Sequence, residues 1–434
     1  MSSLSLRAFL TASLALVSSR AFALQPLGAF LDAARTGNSD NREASALTEQ
    51  RAQERGVAWS KLAPVVSAAA VENDNQYESS IDIPRGPGQT ESIVVTPKYQ
   101  STAAIGVSLP LVDVGSWNRI GAAKSTAASA EASQLSTGLD VAKQVTRAYY
   151  QLVSAVALVT AAEKSEAAAA ETLKVSRERL DSGMGSKLDV RRAESDLERA
   201  RQDKADADYS VKSAARSLET LTGLVPEGTP TTVSDDLHEE APLETWESKA
   251  TPALPPVAAA ARAAEAADKQ ADAARSAYLP TLSANFTQTF TNAAGLVGQE
   301  RYYVVGLGLN WRLDPGTHFD TAAQLAAWEG AKAREDKALK AARDDIYLSW
   351  QSVRSQIAKA KSARAGEAAS DEASSLTQER YKAGTATILD VITAERDAFS
   401  SAVSRIQADG ELLLARALLR LSAGMDPEAK GDRA

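Results

Sequence analysis

Few side chains in this sequence could carry chemistry, and they indicate helix ends and hydrogen bonds more than catalysis. The 434 residues include no cysteine and only two histidines, His238 and His318. The absence of cysteine excludes disulfides and thiolate metal sites, and two separate histidines in polar surroundings do not form an acid–base or metal site. No nucleophile–base cluster or phosphate-binding loop is found, so the sequence predicts a protein that is not an enzyme and has no cofactor or metal.

A short segment rich in turn-forming residues occurs twice in the chain, 201 residues apart. The copies are residues 179–194 and 380–395, and seven of their sixteen positions are identical. Gly183, Gly185 and Gly384 permit the positive φ that a tight reversal between antiparallel helices needs. The repeated segment therefore predicts a helical hairpin in each half of the chain.

Each copy also carries the pattern of a helix N-terminus. Ser186-x-x-Asp189 and Thr387-x-x-Asp390 place a hydroxyl and a carboxylate three residues apart. In a capping box each of these side chains accepts a hydrogen bond from the other residue's backbone N–H, and the carboxylate also suits the helix dipole. Asp189 and Asp390 can therefore be interpreted either as purely structural helix caps or as functional residues.

The repeat extends well beyond the turn. The same offset relates Asp113 to Asp314 and Gly223 to Gly424, and a period of about 200 residues is too long for a solenoid. The sequence therefore predicts a duplicated half-protein. The predicted organisation is a signal peptide at 1–23, a first structural repeat (a helix, two strands and two long helices) at 24–224, an inter-repeat linker at 225–256, a second structural repeat at 257–425 and a flexible C-terminal tail at 426–434.

The N-terminus has the features of an export signal. Arg7 is followed by the apolar run Ala8–Val17, and Ala21-Phe22-Ala23 fits small-x-small cleavage; the alternative is a frayed amphipathic N-terminus. Removing residues 1–23, which contain Arg7 and Arg20, changes the formal charge from −8 to −10, and an acidic chain argues against nucleic-acid binding. No later run of about 18 apolar residues predicts a membrane-spanning helix.

Period-two alternation indicates strands in both halves. It is clearest at Thr281–Phe290 and Tyr302–Leu313 in the second half and at Ser101–Leu111 in the first, whereas Pro64–Val71 shows it weakly. A transmembrane β-strand needs such alternation over about ten residues, and a half-buried strand of a soluble sheet shows it as well. The faces of the two halves match only after a one-residue slip near the end of the strands.

Helical patterns surround these strands. Phe30–Leu62 and Val257–Ala277 precede them, and long segments with a 4-3 apolar spacing, such as Val141–Ala162, follow them. This spacing is typical of coiled coils. A helix from about Ser125 to Leu180 would be roughly 80 Å long, and its narrow stripe of small residues has to pack on neighbouring helices.

If the alternating segments cross a bilayer, their sheet must close, because every backbone donor and acceptor there has to be paired. The chain offers about four such strands, whereas natural membrane barrels start near eight. Membrane insertion would therefore require an oligomer, which would also supply neighbours for the long helices.

The sequence resembles the TolC-like outer-membrane efflux proteins. The resemblance rests on the combination of the duplicated half, the strand-ending segment Leu109–Gly115 and the segment Gly384–Val391 between long helices. It implies a mainly α fold with a transmembrane β-barrel. In that fold, four strands per chain complete a trimeric twelve-stranded barrel, and long helices form a coiled-coil tunnel in the periplasm.

The resemblance implies the outer-membrane exit channel of a tripartite efflux pump or type I secretion system in a Gram-negative bacterium. This channel is a passive duct that extends into the periplasm and is opened at its periplasmic tip by an adaptor protein. The implied partners are two more copies of the chain, the adaptor (membrane fusion) protein, an inner-membrane pump of RND or ABC type and outer-membrane lipid, without nucleic acid. The alternative is a soluble periplasmic coiled-coil adaptor or scaffold, which explains the heptads and the export signal but not the paired strands.

The resemblance also assigns residues at the tip. Family members close it with Tyr, Arg and Asp links between neighbouring helices, and Tyr381, Asp189 and Asp390 match such gate positions. The turns at which the adaptor docks would contain Gly183, Gly185, Gly384 and Thr385. Ala386 stands where the family has a basic residue and Thr393 where it has an acidic one, so the gate network departs from the family pattern.

Basic residues cluster instead in the first-half turn region, at Arg177, Arg179, Lys187, Arg191 and Arg192. They either pair with carboxylates of a neighbouring copy or form a solvated face.

Overall fold

The computed structural model describes residues 24–228, 235–295, 298–312 and 314–428. The predicted signal peptide, Leu313 at the end of a predicted strand and most of the predicted tail lie outside these ranges. The chain divides into two compact units. Of the described residues, the first unit comprises 24–35, 144–228, 235–239 and 353–417, and the second comprises 36–143, 240–295, 298–312, 314–352 and 418–428.

Helices dominate the described residues. The helices are α1 (Leu27–Gly37), α2 (Ser39–Ser60), α3 (Val114–Asp181), α4 (Lys187–Thr222), α5 (Leu243–Glu247), α6 (Pro255–Arg275), α7 (Pro315–Lys382) and α8 (Ile388–Ser422). The strands are β1 (Val65–Asp74), β2 (Ser79–Gly86), β3 (Gln89–Thr96), β4 (Tyr99–Val112), β5 (Thr281–Thr291) and β6 (Arg301–Asn310).

A four-stranded antiparallel sheet in the order β1-β4-β5-β6 forms in the second unit. Its four strands coincide with the four segments predicted from alternation, the weak one at Pro64–Val71 included. The prediction missed the hairpin β2–β3, because alternation in β2 is confined to the short run Ser80–Ile83 and is followed by Pro84, a residue that argues against a strand.

A β-bulge explains the one-residue slip between the two halves. The pairing of β4 with β5 shifts between Pro110 and Val112. Proline cannot donate a ladder hydrogen bond, so it is tolerated in a sheet at edges or at bulges of this kind. The extra residue in β4 shifts the following side chains to the opposite face of the strand, so that the apolar and polar faces of the two halves correspond again.

Repeat-related aspartates start the two longest helices. The Oδ1 atom of Asp113 accepts a hydrogen bond from the backbone N–H of Ser116 at 2.8 Å, and Asp314 caps Thr317 in the same way at 3.1 Å. With this cap α3 begins at Val114 instead of near Ser125, and its 68 residues span about 100 Å.

The predicted helix Phe30–Leu62 is in fact two helices. Asn38 has an extended backbone conformation, and its side chain accepts hydrogen bonds from the N–H groups of Asp40 and Asn41. An asparagine that caps the following turn ends the preceding helix and begins a new one. Asn38-Ser39-Asp40 is a recognisable helix-capping sequence, but the apolar spacing continues across it and therefore predicted a single helix.

The predicted heptad stripe is buried. Along α3 the buried positions include Val145, Ala148, Leu152, Ala162, Ala169 and Leu173. In the first unit one apolar cluster joins α3, α4, α7 and α8, and it contains Leu173, Leu197, Tyr381, Val391 and Ile392. Small residues dominate the stripe because four long helices can approach closely only over narrow side chains.

An ionic network also lies in the first unit, where the segment 235–238 packs against α7 and α8. Arg416 forms an ion pair with Asp235 at 2.8 Å, and their side chains are only 4% and 6% exposed. Arg416 also donates to the backbone carbonyl of His238 at 2.6 Å, and Arg364 donates to the carbonyl of Asp235 at 2.9 Å. Arg364 and Arg416 thus hold the central part of the inter-repeat linker, residues 235–238, against α7 and α8.

Candidate functional site: the helical turn region

The two predicted turns reverse the chain between α3 and α4 and between α7 and α8. Gly183 and Gly384 have φ of +76° and +80°, which confirms the conformation predicted for them. The prediction is wrong for Gly185, whose φ is not positive. Gly185 is needed for close approach, since a Cβ there would lie 2.9 Å from the backbone N of Leu180.

Both predicted capping boxes are present. Ser186 and Asp189 exchange side-chain-to-backbone hydrogen bonds of 3.2 Å at the start of α4. Asp390 accepts from the backbone N–H of Thr387 at 2.8 Å and from its hydroxyl at 2.7 Å, and Thr387 Oγ1 accepts from the N–H of Asp390 at 3.2 Å. The bonds from Thr387, backbone first, hold the pKa of Asp390 below its ordinary value. Both aspartates therefore have a structural role within their own chain.

Of the three gate candidates Tyr381 is the buried one, and it lies in the apolar cluster, 5% exposed. Its hydroxyl is 3.0 Å from the hydroxyl of Ser176 on α3. The guanidinium of Arg179 lies 4.7 Å from the centre of the Tyr381 ring and donates a hydrogen bond to the Tyr381 carbonyl. These contacts fasten the end of α7 to the end of α3.

The hydroxyl protons can be assigned from this geometry. Ser176 donates its single proton to the carbonyl of Thr172 at 2.8 Å, so its oxygen acts as an acceptor toward Tyr381. The Tyr381 proton is then committed to Ser176, and none remains for a carboxylate. No hydrogen bond joins Tyr381 to Asp189 among the described residues, and a link to Asp189 of another copy would require Tyr381 to release Ser176.

Two arginines of the predicted basic cluster pair within their own chain. Arg177 and Arg191 bind the two carboxylate oxygens of Glu194 at 3.0 and 2.7 Å. These bonds, that from Arg177 first, lower the pKa of Glu194. Arg179 instead covers the Tyr381 ring, so these three members of the cluster all have partners in the chain itself.

Sequence reasoning missed the repeat-related partner of Glu194, which is Glu395. It is 8% exposed, and its Oε1 accepts hydrogen bonds from the Thr172 hydroxyl and from the side-chain amide of Gln378, both at 2.6 Å. Burial is the main cause that raises the pKa of Glu395. In the sequence, Glu395 stands out only as one of the positions that are identical in the two copies of the repeat. Its neighbours in the chain do not distinguish it from Glu194.

A possible ligand set for a metal ion lies elsewhere in the first unit. Asp235, Asp236 and His238 bring ligand atoms within 4.8 Å of one another. However, His238 Nε2 lies 3.0 Å from Arg416 and its Nδ1 contacts Asp236. The guanidinium already serves as the cation of this cluster, so its chemistry is that of an ion-pair network.

Comparison with known proteins assigns the family. Within the part of the chain that the structure describes, no helix combines the length and the apolarity needed to cross a membrane. The sequence profile described as "Outer membrane efflux protein" matches residues 30–224 and 248–425. The chain belongs to the outer membrane efflux protein family. It is an outer-membrane exit channel of an efflux or secretion system.

Relatives within the outer membrane efflux family are distant in sequence. "Outer membrane efflux protein BepC" of Brucella suis is 26% identical over 344 residues, 77% of this chain and 75% of that protein. "Toluene efflux pump outer membrane protein TtgC" of Pseudomonas putida is 25% identical over 386 residues, 84% of this chain and 75% of that protein. The predicted resemblance is thereby confirmed, and the alternative of a soluble periplasmic scaffold is not supported.

Solved structures share the fold. The Campylobacter jejuni CmeC outer membrane channel superposes with a TM-score of 0.76 at 16% identity, covering 94% of this chain and 88% of that one. The outer membrane protein VceC of Vibrio cholerae gives 0.74 at 17% identity, covering 93% and 97%. The predicted fold class, a mainly helical chain with a small sheet in the manner of these channels, is confirmed.

Proposed function

We propose that this chain is a passive duct made of three copies, in which each four-stranded sheet contributes a third of one twelve-stranded barrel. The observation that supports this most directly is the exposed apolar face of β6. Tyr303, Val305, Leu307 and Leu309 alternate along the strand and are 69–74% exposed. Exposing this much apolar surface to water is unfavourable, whereas lipid covers such a face at no cost once the sheet is closed.

The tip is the part of the duct that opens. In this proposal the turns containing Gly183, Gly185, Gly384 and Thr385 contact a periplasmic adaptor protein, and an inner-membrane pump of RND or ABC type delivers the cargo. An adaptor that contacts the open tip better than the closed one shifts the equilibrium toward opening. Tyr381, Asp189 and Asp390 keep the tip closed when no adaptor is bound.

Reconstitution tests the duct directly. We expect the detergent-purified protein to insert into planar bilayers as a trimer, with a small conductance while the tip is closed. A protein that remains monomeric and never conducts would contradict the duct. Capture from a detergent extract identifies the adaptor and pump that accompany it.

The hydroxyls of Tyr381 and Ser176 join the end of α7 to α3. Tyr381→Phe leaves the buried Ser176 oxygen without its donor, which costs about 1–3 kcal/mol and corresponds to a roughly 5- to 150-fold shift toward the open tip. Ser176→Ala is expected to raise the conductance by a similar factor. The double variant Tyr381→Phe with Ser176→Ala should raise it no further than either single substitution does. Single-channel recordings of the four proteins provide the measurement.

Tyr209→Phe serves as the matched control, since Tyr209 lies exposed on α4, and its conductance should equal that of the wild type. Additive effects of Tyr381→Phe and Ser176→Ala would show that the two hydroxyls do not act through one bond. If Asp189→Ala couples to Tyr381→Phe and Ser176→Ala does not, the closed tip uses the link to Asp189.

A further inference from the structure

Glu395 on α8 has one carboxylate oxygen with hydrogen bonds and one without. Its Oε1 receives the bonds from Thr172 and Gln378 described above. Its Oε2 is fully buried and has no hydrogen-bond partner among the described residues. An ionised carboxylate in this position would keep a buried charge without compensation at one oxygen, which is strongly unfavourable.

The cations around Glu395 are engaged elsewhere. Arg396 binds Asp196 of α4 at 2.8 Å, Arg405 of α8 binds Glu367 of α7 at 2.5 Å, and Lys164 of α3 binds Asp371 of α7 at 2.7 Å.

The other charged groups beside Glu395 and its partners Thr172 and Gln378 are Glu171 on α3, Arg199 and Asp203 on α4 and Lys382 on α7. Arg199 and Lys382 are exposed. Among the residues that the structure describes, no cation thus compensates Glu395 directly. Burial, with a smaller contribution from Asp196, raises its pKa against the opposing bonds from Thr172 and Gln378.

The carboxyl is connected to the tyrosine gate candidate through one turn of α3. Thr172 donates its hydroxyl proton to Glu395, while its carbonyl accepts the proton of Ser176, and Ser176 accepts from Tyr381. Glu395 also lines a cavity of about 450 Å³ between α3, α7 and α8, but in the packed arrangement its Oε2 is not accessible from that cavity. Separation of α8 from α3 would hydrate Glu395 and break the same chain of bonds.

We propose that Glu395 is a proton-binding residue of the turn region, neutral while α8 is packed against α3 and ionised once the helices separate. Opening then releases one proton from the carboxylic acid to water, and closing takes it up again. The inference depends on the proposed function in one respect, namely that the packed arrangement is the closed tip.

The sign of the pH dependence follows from linkage. Because the pKa of Glu395 is raised in the packed state, its contribution to packing is complete below the ordinary carboxyl pKa and is lost as the pH rises through the raised one. Between these two values the opening equilibrium changes by up to about tenfold per pH unit. Acid therefore favours the packed tip, and neutral or alkaline pH favours opening.

Hydrogen–deuterium exchange of the full chain in detergent tests this without any requirement for conduction. Glu395→Gln keeps the acceptor Oε1 and removes the charge. At neutral pH we expect the amides of α8 around the substituted position to exchange more slowly in this variant than in the wild type. The ratio of wild-type to variant rates should fall toward a constant value as the pH approaches the ordinary carboxyl pKa.

The control is the repeat-related Glu194→Gln. Glu194 has a lowered pKa, so its substitution should not slow exchange at neutral pH, and any pH effect should have the opposite sign. A carboxylic-acid C=O band in the infrared spectrum of the wild type, persisting above the ordinary carboxyl pKa, is a second readout that needs no variant.

A wild-type to Glu395→Gln ratio that does not change with pH, or the absence of that infrared band, would overturn the proposal. If the protein conducts and responds to an adaptor, but the ratio of wild-type to Glu395→Gln exchange rates does not change with pH, only the proton site is refuted. A chain that never inserts into bilayers refutes the duct and leaves the exchange result valid for the helices.

Discussion

Replacing Arg416 with methionine is expected to destabilise the first unit by about 3–5 kcal/mol. Methionine fills much of the same volume but leaves Asp235 as a buried charge without a counterion, since the Asp235 side chain is only 6% exposed. The substitution also removes the donor to the carbonyl of His238. A buried pair broken on one side is costly because the desolvation of the remaining charge is no longer compensated.

Pulse proteolysis of the detergent-solubilised protein in increasing urea measures this loss. The double variant Arg416→Met with Asp235→Asn should recover a large part of it, because neither charge then remains. Arg201→Met is the matched control: Arg201 is half exposed and pairs with exposed Glu198 at 2.7 Å, and such surface pairs contribute about 0–1 kcal/mol. If Arg416→Met costs no more than Arg201→Met, the network does not hold the segment 235–238.

Replacing Leu307 with arginine is expected to prevent most of the protein from entering the membrane. Leu307 is 74% exposed on the apolar face of β6, where the barrel proposal places lipid. A lipid-facing arginine near the middle of a membrane barrel costs about 2–4 kcal/mol, and three copies would bear this cost together. The membrane-integrated fraction after a carbonate wash should therefore fall by at least tenfold.

Val304→Arg provides the comparison on the same strand. Val304 is three residues from Leu307 and belongs to the opposite face, where Gly306 and Gly308 alternate with the apolar residues. An arginine there points away from lipid in the proposed barrel and should leave most of the protein membrane-integrated. Equal losses for the two variants, or a larger one for Val304→Arg, would contradict the assignment of the faces.

Features that depend on near neighbours in the chain could be predicted from the sequence. The capping boxes at Ser186 and Thr387, the left-handed glycines Gly183 and Gly384, and the buried heptad stripe of α3 follow from spacings of a few residues. Such spacings fix which backbone groups need a partner and which helix face is apolar. The same reasoning wrongly predicted a positive φ for Gly185. This glycine is required by the close approach of the Leu180 backbone, which the spacing of residues in the sequence does not indicate.

Features that depend on distant residues were decided by the tertiary structure. Arg416 and Asp235 are 181 residues apart, and nothing near either one marks it as half of a buried pair. The proton of Tyr381 likewise goes to Ser176 because of the way α7 packs on α3.

The repeat-related glutamates show this division most clearly. The repeat already shows in the sequence that Glu194 and Glu395 occupy equivalent positions in the second turns of two helices, and it predicts the hairpins to which these helices belong. Only the tertiary structure placed Glu194 between two arginines, which lower its pKa, and buried Glu395 beside a threonine and a glutamine, with the opposite result. The physical reason is that a carboxyl's charge state depends on its solvation and on the charges within a few ångströms, and folding selects these from all parts of the chain.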